Sequence, residues 1–188
     1  MTTANKITLV RIAMIPFFIW AAYLGTRGGE IAALVLFLVA SATDFLDGYV
    51  ARKYNQITDF GKFVDPLADK LLVCAAMLVF VQRGEMSAVM VFIILAREFI
   101  ITSLRVVAAG KGRILAAAWS GKVKTCVQIG GVALIFLAGI LAQGNLGLPV
   151  RTIDLAAGWA MTLVTLYSGF DYMKRNWDIV ADGATAKK

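Results

Sequence analysis

Four aspartates stand close together in a chain that is otherwise mostly hydrophobic: Asp44, Asp47, Asp65 and Asp69. A carboxylate inside a bilayer is costly, so acids in such surroundings generally serve a function. If the four converge, they repel one another unless cations hold them together. Carboxylate oxygens suit Mg²⁺, Mn²⁺ or Ca²⁺. Two such metals suit phosphoryl chemistry, because they clamp the attacking and leaving oxygens.

The spacing of these acids places each pair on one helix face. The first pair is three positions apart and the second pair four, the separations that bring side chains together on an α-helix. Gly48 and Ala51 continue the face of Asp44, and small residues let another helix or a ligand approach the backbone closely. Residues 55–61 would form the turn between the two helices.

Other interpretations of the acids remain open at this point. They could pair with neighbouring bases, which are Arg52, Lys53, Lys62 and Lys70. They could mark the ion pathway of a cation transporter, although such sites lie near the bilayer midplane and these acids are expected at helix ends beside a turn. A non-catalytic membrane scaffold would not need all four acids, so single Asp→Asn changes in it would be nearly silent.

A second polar set follows in the fourth and fifth hydrophobic segments. Its basic members are Arg97, Arg105, Lys122 and Lys124. Glu98, Thr102 and Arg105 recur at i, i+4 and i+7, which predicts one polar stripe on an apolar helix. The structural interpretation is a Glu98–arginine ion pair with lysines that reach the head groups. The functional interpretation is a cationic pocket for an anion, since a guanidinium can bind phosphate bidentately.

Composition indicates that these residues are positioned by a helical membrane bundle. The chain is 60% hydrophobic, whereas a soluble domain is roughly 45–50% apolar. A spanning helix needs about 20 mainly apolar residues. Six segments qualify: Ile7–Leu24, Ile31–Val50, Phe63–Val81, Met86–Ala108, Val123–Ala142 and Ile153–Met173. The prediction is an all-α protein with six transmembrane helices in one domain over residues 1–180 and a frayed tail over 181–188.

The basic residues predict an orientation. The net charge is +7, and the outer turns hold only Arg27, Arg83 and Arg151 if the N-terminus is cytoplasmic. Short cytoplasmic loops carry an excess of Lys and Arg. Both termini and the acidic site should therefore face the cytoplasm, in a cell or inner membrane. Bases at membrane ends suit anionic lipids and do not favour nucleic acid.

Histidine and cysteine chemistry is not indicated. The chain has no histidine, which removes the commonest general base. Its two cysteines, Cys74 and Cys126, lie in apolar segments and form no metal-ligand spacing.

The acidic region resembles the signature of the CDP-alcohol phosphotransferase family, D-x2-D-G-x2-A-R-x8-G-x3-D-x3-D. Every fixed position is present, namely Asp44, Asp47, Gly48, Ala51, Arg52, Gly61, Asp65 and Asp69. The resemblance implies six transmembrane helices, a homodimer, and transfer of a phosphatidyl group from CDP-diacylglycerol to an alcohol with release of CMP.

The same resemblance implies roles for individual residues. The four aspartates would bind two Mg²⁺ or Mn²⁺ ions, and Asp69 would also take the proton from the acceptor hydroxyl. The donor CDP-diacylglycerol would be bound by Asp47, Gly48, Ala51, Arg52 and Gly61.

Further motifs resemble the branch of the family that uses glycerol 3-phosphate as acceptor, the phosphatidylglycerophosphate synthases. They are Asn5-x-x-Thr8-x-x-Arg11, Ala96-Arg97-Glu98-x3-Thr102-x2-Arg105 and Trp119-Ser-Gly-Lys122-x-Lys124-Thr125. The resemblance implies that Arg97, Arg105, Lys122 and Lys124 bind the acceptor phosphate. Cardiolipin synthase and phosphatidylinositol-type branches of the family remain alternatives.

Overall fold

The computed structural model describes residues 3–53, 59–113, 115–116, 118–144 and 149–184. Side chains are described within these ranges except at 3–4, 44–53, 59–63, 65–66, 69, 180 and 182–184. The regular elements of the described ranges are all α-helices. In chain order they are α1 (Thr3–Tyr23), α2 (Arg27–Lys53), α3 (Asp59–Gln82), α4 (Ala88–Gly110), α5 (Trp119–Ala142), α6 (Val150–Arg175) and α7 (Trp177–Ala184).

The first six helices coincide with the six apolar segments, and each extends past its segment at one end or both. They contain 21 to 27 residues, so at 1.5 Å per residue they are about 31–40 Å long, against a hydrocarbon core of about 30 Å. Polar residues can continue a helix beyond an apolar span because water satisfies their side chains. Gly61 accordingly lies on α3 and not in the preceding turn. Helix α7 includes the first four residues of the region predicted as a tail.

Local sequence explains how the helices begin and end. Ser87 caps α4, because its hydroxyl accepts a hydrogen bond of 3.3 Å from the backbone N–H of Val89. Gly84 lies in the short turn between α3 and α4 with a φ of 73°, a left-handed conformation that favours glycine. Asn176 separates α6 from α7, and its side-chain amide donates to the carbonyl of Tyr172 at 2.8 Å.

The core is aromatic at its centre. Phe18, Phe37, Phe80 and Phe136 come from four different helices and are fully buried. The ring centroids of Phe80 and Phe136 are 5.0 Å apart, and Phe18 meets Phe136 edge-on at 5.8 Å. Such pairs add stabilisation to the burial itself. This packing joins α1, α2, α3 and α5.

Helix α6 packs closely on α5 and also contacts α4. At Gly131 of α5, a Cβ atom would come within 2.6 Å of the sulfur of Met161. A glycine there lets the α6 side chain lie directly on the α5 backbone. This places the late part of α6 beside α4, where the functional side chains lie.

The outward surface is strongly apolar, with Phe92 71% and Phe170 72% exposed. Apolar patches of this extent indicate an apolar environment. Among the described residues, two helical stretches qualify as membrane spans by length and composition, Asn5–Tyr23 and Trp119–Ala142. The all-α prediction is confirmed for the described ranges, and the count of six spans stays a prediction.

Candidate functional site

The predicted acidic site falls on two helices that contact each other. Asp44 and Asp47 lie on the second half of α2, and Asp65 and Asp69 lie on the first half of α3. The donor-binding residues predicted beside them are on the same two helices, with Gly48, Ala51 and Arg52 on α2 and Gly61 on α3. The side chains of all these residues lie outside the described part of the structure. Their metal- and donor-binding roles stay predictions.

Three polar residues of α1 are buried beside these helices. Asn5, Thr8 and Arg11 are 5%, 1% and 1% exposed. They recur every three positions and so share one face of α1, which packs against α2 and α3. In the sequence they were noticed only through the family resemblance. Their burial indicates a structured polar region at this end of the bundle, because buried polar groups need partners.

A cationic cavity lies between α3, α4, α5 and α6. Its volume is about 490 Å³. Five basic side chains and one acidic side chain, Glu98, line it; the bases are Lys70, Arg97, Arg105, Lys122 and Lys124. The structure thus brings together the four residues predicted to bind the acceptor phosphate. Lys70 was considered only as a partner of the aspartates, and it adds a fifth charge from the position after Asp69.

Glu98 lies between two of the cations. Its Oε1 is 3.0 Å from Nη1 of Arg97 and 2.7 Å from Nζ of Lys124. The structural interpretation of Glu98 as an ion-pair partner is therefore realised within the cationic cavity. Lys124 is buried and held by this pair, whereas Lys122 is exposed. Among the described side chains that line the cavity there are five bases and one acid, a composition that favours an anionic ligand.

Helix α6 supplies hydroxyl partners that sequence reasoning missed. Nη2 of Arg97 donates to Oγ of Ser168 at 2.8 Å, and Nε of Arg105 donates to the hydroxyl of Tyr172 at 3.1 Å. The Arg105 guanidinium also lies 5.4 Å from the centre of the Tyr172 ring, within the range of a cation–π contact. The sequence signal for these residues is the helical spacing of Thr165, Ser168 and Tyr172, all of which are buried.

An apolar groove opens beside the cationic cavity. It has a volume of about 390 Å³ and lies between α3, α4 and α5. The two spaces share Lys70, Glu98, Thr102, Lys124 and Thr125. The rest of the groove is mainly hydrophobic, with lining residues that include Leu67, Leu71, Met77, Ile94 and Phe99. An anion-binding space continuous with an apolar groove can accept an amphiphile.

Helix α7 contacts the residues that follow α4, near the cationic cavity. Nζ of Lys111 donates to the carbonyl of Ile179 at 3.1 Å, and Nη1 of Arg113 is 2.6 Å from Oδ2 of Asp178. The hydrogen bond from Arg113 holds the pKa of Asp178 below its usual value. Ile179 is 1% exposed and packs with Ile101, Leu104 and Tyr172. The cavity walls are thus tied together by the C-terminal helix.

No group of three or more potential metal ligands occurs among the side chains that the structure describes. The four predicted ligands are outside that part of the chain. Their donor set is four carboxylates on two adjacent helices, which chemically suits hard divalent cations.

Comparisons with known proteins agree with this site. Residues 1–166 match the family described as CDP-alcohol phosphatidyltransferase. Three similar proteins are named CDP-diacylglycerol–glycerol-3-phosphate 3-phosphatidyltransferase. The one from Bacillus subtilis (strain 168) is 42% identical over 93% of this chain and 94% of its own length. The one from Rickettsia bellii is 35% identical over 90% and 92%, and the one from Shigella flexneri serotype 5b is 37% identical over 89% and 90%.

These relatives align along nearly the whole chain, and the family match spans both the acidic helices and the cationic helices. The family and the two apolar helices indicate an integral membrane protein. The resemblance inferred from the acidic signature is confirmed: the chain belongs to the CDP-alcohol phosphatidyltransferase family and is a phosphatidyltransferase.

Proposed function

We propose that this protein transfers the phosphatidyl group of CDP-diacylglycerol to glycerol 3-phosphate, giving phosphatidylglycerophosphate and CMP. The observation that carries the proposal is the cationic cavity, which lies next to the acidic helices and opens into an apolar groove. A lipid donor and a small anionic acceptor require those two environments side by side. The names of the relatives from Bacillus subtilis and Rickettsia bellii support the same pair of substrates.

The four aspartates are proposed to hold two Mg²⁺ or Mn²⁺ ions. Their carboxylates suit hard cations, and no histidine or cysteine ligand accompanies them in the sequence. When bound, such ions neutralise charge on the pyrophosphate of the donor. Asp44 and Asp65 are proposed to act as metal ligands only, and Asp47 is proposed to bind CDP-diacylglycerol as well.

Asp69 is proposed to have a second role as general base. Its carboxylate would take the proton of the glycerol 3-phosphate hydroxyl as that oxygen attacks the donor phosphorus. The next residue, Lys70, lines the cationic cavity, which supports a position of this part of α3 near the acceptor. A carboxylate is a weak base, with an ordinary pKa of about 3.9, so Asp69 should be the least tightly metal-bound of the four.

The donor and acceptor would bind on different helices. Gly48, Ala51 and Gly61 would allow close approach of the cytidine, and Arg52 would pair with a donor phosphate. The acceptor phosphate would be bound by Arg97, Arg105, Lys122 and Lys124. Glycerol 3-phosphate carries about two negative charges at neutral pH, since the second pKa of such a phosphate is near 6. The surplus of bases over Glu98 suits that charge.

The membrane arrangement is part of the proposal. Six spanning helices, α1 to α6, would place both chain termini, the acids and the cationic cavity at the cytoplasmic face of a cell or inner membrane. The lengths of the helices and the exposed apolar side chains support this arrangement. Residues 1–180 would form one catalytic domain that works as a homodimer surrounded by membrane lipids.

The direct test is CMP release by the purified protein in detergent. The protein would receive CDP-diacylglycerol and, in separate reactions, glycerol 3-phosphate, phosphatidylglycerol, inositol or inositol phosphate. We expect CMP release that depends on Mg²⁺ or Mn²⁺ and is fastest with glycerol 3-phosphate. Preference for phosphatidylglycerol or an inositol acceptor would overturn the proposed acceptor and retain the family. Cation transport in vesicles without CMP release would overturn the proposed activity.

A further inference from the structure

We infer that Ser168 and Gly169 of α6 form a seat that positions the Arg97 guanidinium for the acceptor phosphate. The inference rests on the proposed function, because it assigns a task within the same cavity. Ser168 is fully buried, and its Oγ accepts the 2.8 Å hydrogen bond from Nη2 of Arg97. Gly169 follows it and faces the stem of the same side chain.

Gly169 gives Arg97 the space that it occupies. A Cβ at position 169 would come within 2.8 Å of Cγ of Arg97, and within 3.6 and 3.8 Å of its Nε and Cδ. A contact of 2.8 Å between carbon atoms is too short to persist, so any larger residue would move the arginine. The arginine stem therefore lies against bare α6 backbone.

The seat holds Arg97 from two sides and leaves donors for a ligand. Nη1 is 3.0 Å from Oε1 of Glu98, and Nη2 donates to Ser168. Each terminal nitrogen carries two N–H groups, so each has one more to donate. Within the described part of the chain, Nε is buried without a hydrogen-bond partner, and it is close to Gly169. The two terminal nitrogens are thus the part of Arg97 that can grip a phosphate.

The hydroxyl of Ser168 also preserves the charge of Arg97. A carboxylate at that position would neutralise the guanidinium, whereas a hydroxyl orients it and leaves the charge in place. Among the described side chains, the carboxylate that contacts Arg97 is that of Glu98, 3.0 Å from Nη1, and it is shared with Lys124 at 2.7 Å. Ser168 and Gly169 are therefore positioning residues that act through Arg97.

The seat is tested by steady-state kinetics of Ser168→Ala, Ser168→Thr and Gly169→Ala. Loss of one hydrogen bond to Arg97 should raise the KM for glycerol 3-phosphate about three- to tenfold in Ser168→Ala. Ser168→Thr keeps the hydroxyl and should restore most of the affinity. Gly169→Ala should raise this KM by about tenfold or more because it displaces the arginine. The KM for CDP-diacylglycerol should change by less than about twofold in each variant.

Thr162→Val is the matched control. Thr162 is a fully buried hydroxyl residue of α6, and its Oγ1 donates at 2.8 Å to the Gly158 carbonyl within the helix. Valine has nearly the same shape, so both KM values should stay at the wild-type level. A merely structural role of α6 hydroxyls would instead give Thr162→Val and Ser168→Ala the same kinetics.

A double variant separates positioning through Arg97 from other effects. If Ser168 acts through Arg97, then adding Ser168→Ala to Arg97→Ala should change the KM for glycerol 3-phosphate no further. Additive effects would overturn the inference, as would an unchanged KM in both Ser168→Ala and Gly169→Ala. These outcomes are distinct from failure of the proposed function, in which the wild-type protein itself releases no CMP with glycerol 3-phosphate.

Discussion

Two clusters of charged side chains lie at opposite ends of the same helices and are built differently. The cationic cavity uses the middle and late parts of α4, the late part of α6, the early part of α5 and Lys70 of α3. The second cluster, here called the far cluster, consists of Glu30 at the start of α2, Arg83 and Glu85 between α3 and α4, and Asp154 at the start of α6. Among the described side chains, the cavity has an excess of bases and the far cluster has an excess of acids.

In the far cluster, acidic side chains contact a single arginine, Arg83. Nη2 of Arg83 contacts Oε1 of Glu30 and lies 2.7 Å from Oε1 of Glu85. The Arg83 guanidinium is also 5.7 Å from the centre of the Phe136 ring. Glu30 and Asp154 are 3% and 4% exposed. Arg83 thus joins the ends of α2 and α3 and has little surface left for a ligand.

The difference lies in the partners of the arginines. In the far cluster, two carboxylates contact Arg83 and oppose its charge. In the cavity, Arg97 shares one carboxylate, that of Glu98, with Lys124, and its partner from α6 is a hydroxyl. The α6 partner of Arg105 is also a hydroxyl. Hydroxyl partners leave a cation able to attract an anion. We therefore expect changes in the far cluster to affect stability and changes at the cavity end to affect activity.

The largest expected effect is loss of turnover in Asp44→Asn and Asp65→Asn. Each change removes a charged ligand from the proposed metal site, so CMP release should fall to background. A chelator should likewise abolish CMP release by the wild type, and added Mg²⁺ or Mn²⁺ should restore it. Asp154→Asn, a buried acid of the far cluster, is the control and should remain active. Full wild-type activity in EDTA would contradict the metal proposal.

Asp69→Asn should separate catalysis from binding. The variant lacks the proposed base, so its kcat should be about 10²–10⁴-fold lower than that of the wild type, while CDP-diacylglycerol should still bind. Turnover and direct donor binding would be measured on the same preparation. If the variant turns over at the wild-type rate, Asp69 is not the base.

Arg83→Met should show that the far cluster is structural. Removal of one partner from a buried ion pair costs about 3–5 kcal/mol, which at about 2–4 °C per kcal/mol corresponds to a Tm lowered by about 6 °C or more. Both KM values should stay near wild type at a temperature where the variant is folded. Adding Glu30→Gln should recover part of the Tm. A changed acceptor KM without a change in Tm would reverse the assignment of the two clusters.

Arg105→Ala tests whether the cationic cavity binds the acceptor phosphate. The loss of a charge-assisted bond to the acceptor phosphate costs about 1.5–3 kcal/mol, so the KM for glycerol 3-phosphate should rise about ten- to a hundredfold. The KM for CDP-diacylglycerol should hardly change. Arg151→Ala is the control, because Arg151 is exposed at the far end and donates to the Gly84 carbonyl at 2.7 Å. Equal effects of the two variants would argue against an acceptor site.

The smallest effect is a pH dependence of stability that arises from Glu85. Burial raises the pKa of its carboxyl to about 7, although Arg83 opposes the shift. Between its ordinary value of 4.5 and 7, the folded state binds more protons than the unfolded state, so stability should fall as the pH rises through this window. Glu85→Gln should remove that part of the pH dependence, measured as the Tm in detergent from pH 5 to pH 8. Parallel Tm curves for wild type and variant would exclude Glu85 as the source.

The features that depend on local spacing, which are the family signature and the helices, were predictable from the sequence. Asp44, Asp47, Asp65 and Asp69 matched a family signature position by position, and that membership is confirmed. The six apolar segments predicted the first six helices to within about four residues at their ends, the usual uncertainty of such boundaries. Arg97 and Lys124 were predicted to bind an anion from their residue types and their places in the fourth and fifth apolar segments, and the family resemblance implied the same role.

The arrangement of α6 was not predictable in the same way. Ser168, Gly169 and Tyr172 are ordinary residues of an apolar helix in the sequence, and nothing local connects Ser168 to Arg97, which lies 71 positions away. The far cluster was likewise hidden, because Glu30, Arg83 and Asp154 belong to separate turns and helices. Contacts of this kind exist only after the helices have packed.

The sequence by itself determined the chemistry that is available: carboxylates at helical spacing, bases on two apolar helices and segments long enough to form a bundle. Those properties depend on residue type and on the 3.6-residue period of the helix. Only the tertiary structure decided which arginine keeps its charge for a ligand. That outcome depends on whether a hydroxyl or a carboxylate from another helix lies within about 3 Å of the guanidinium, and helix packing sets that distance.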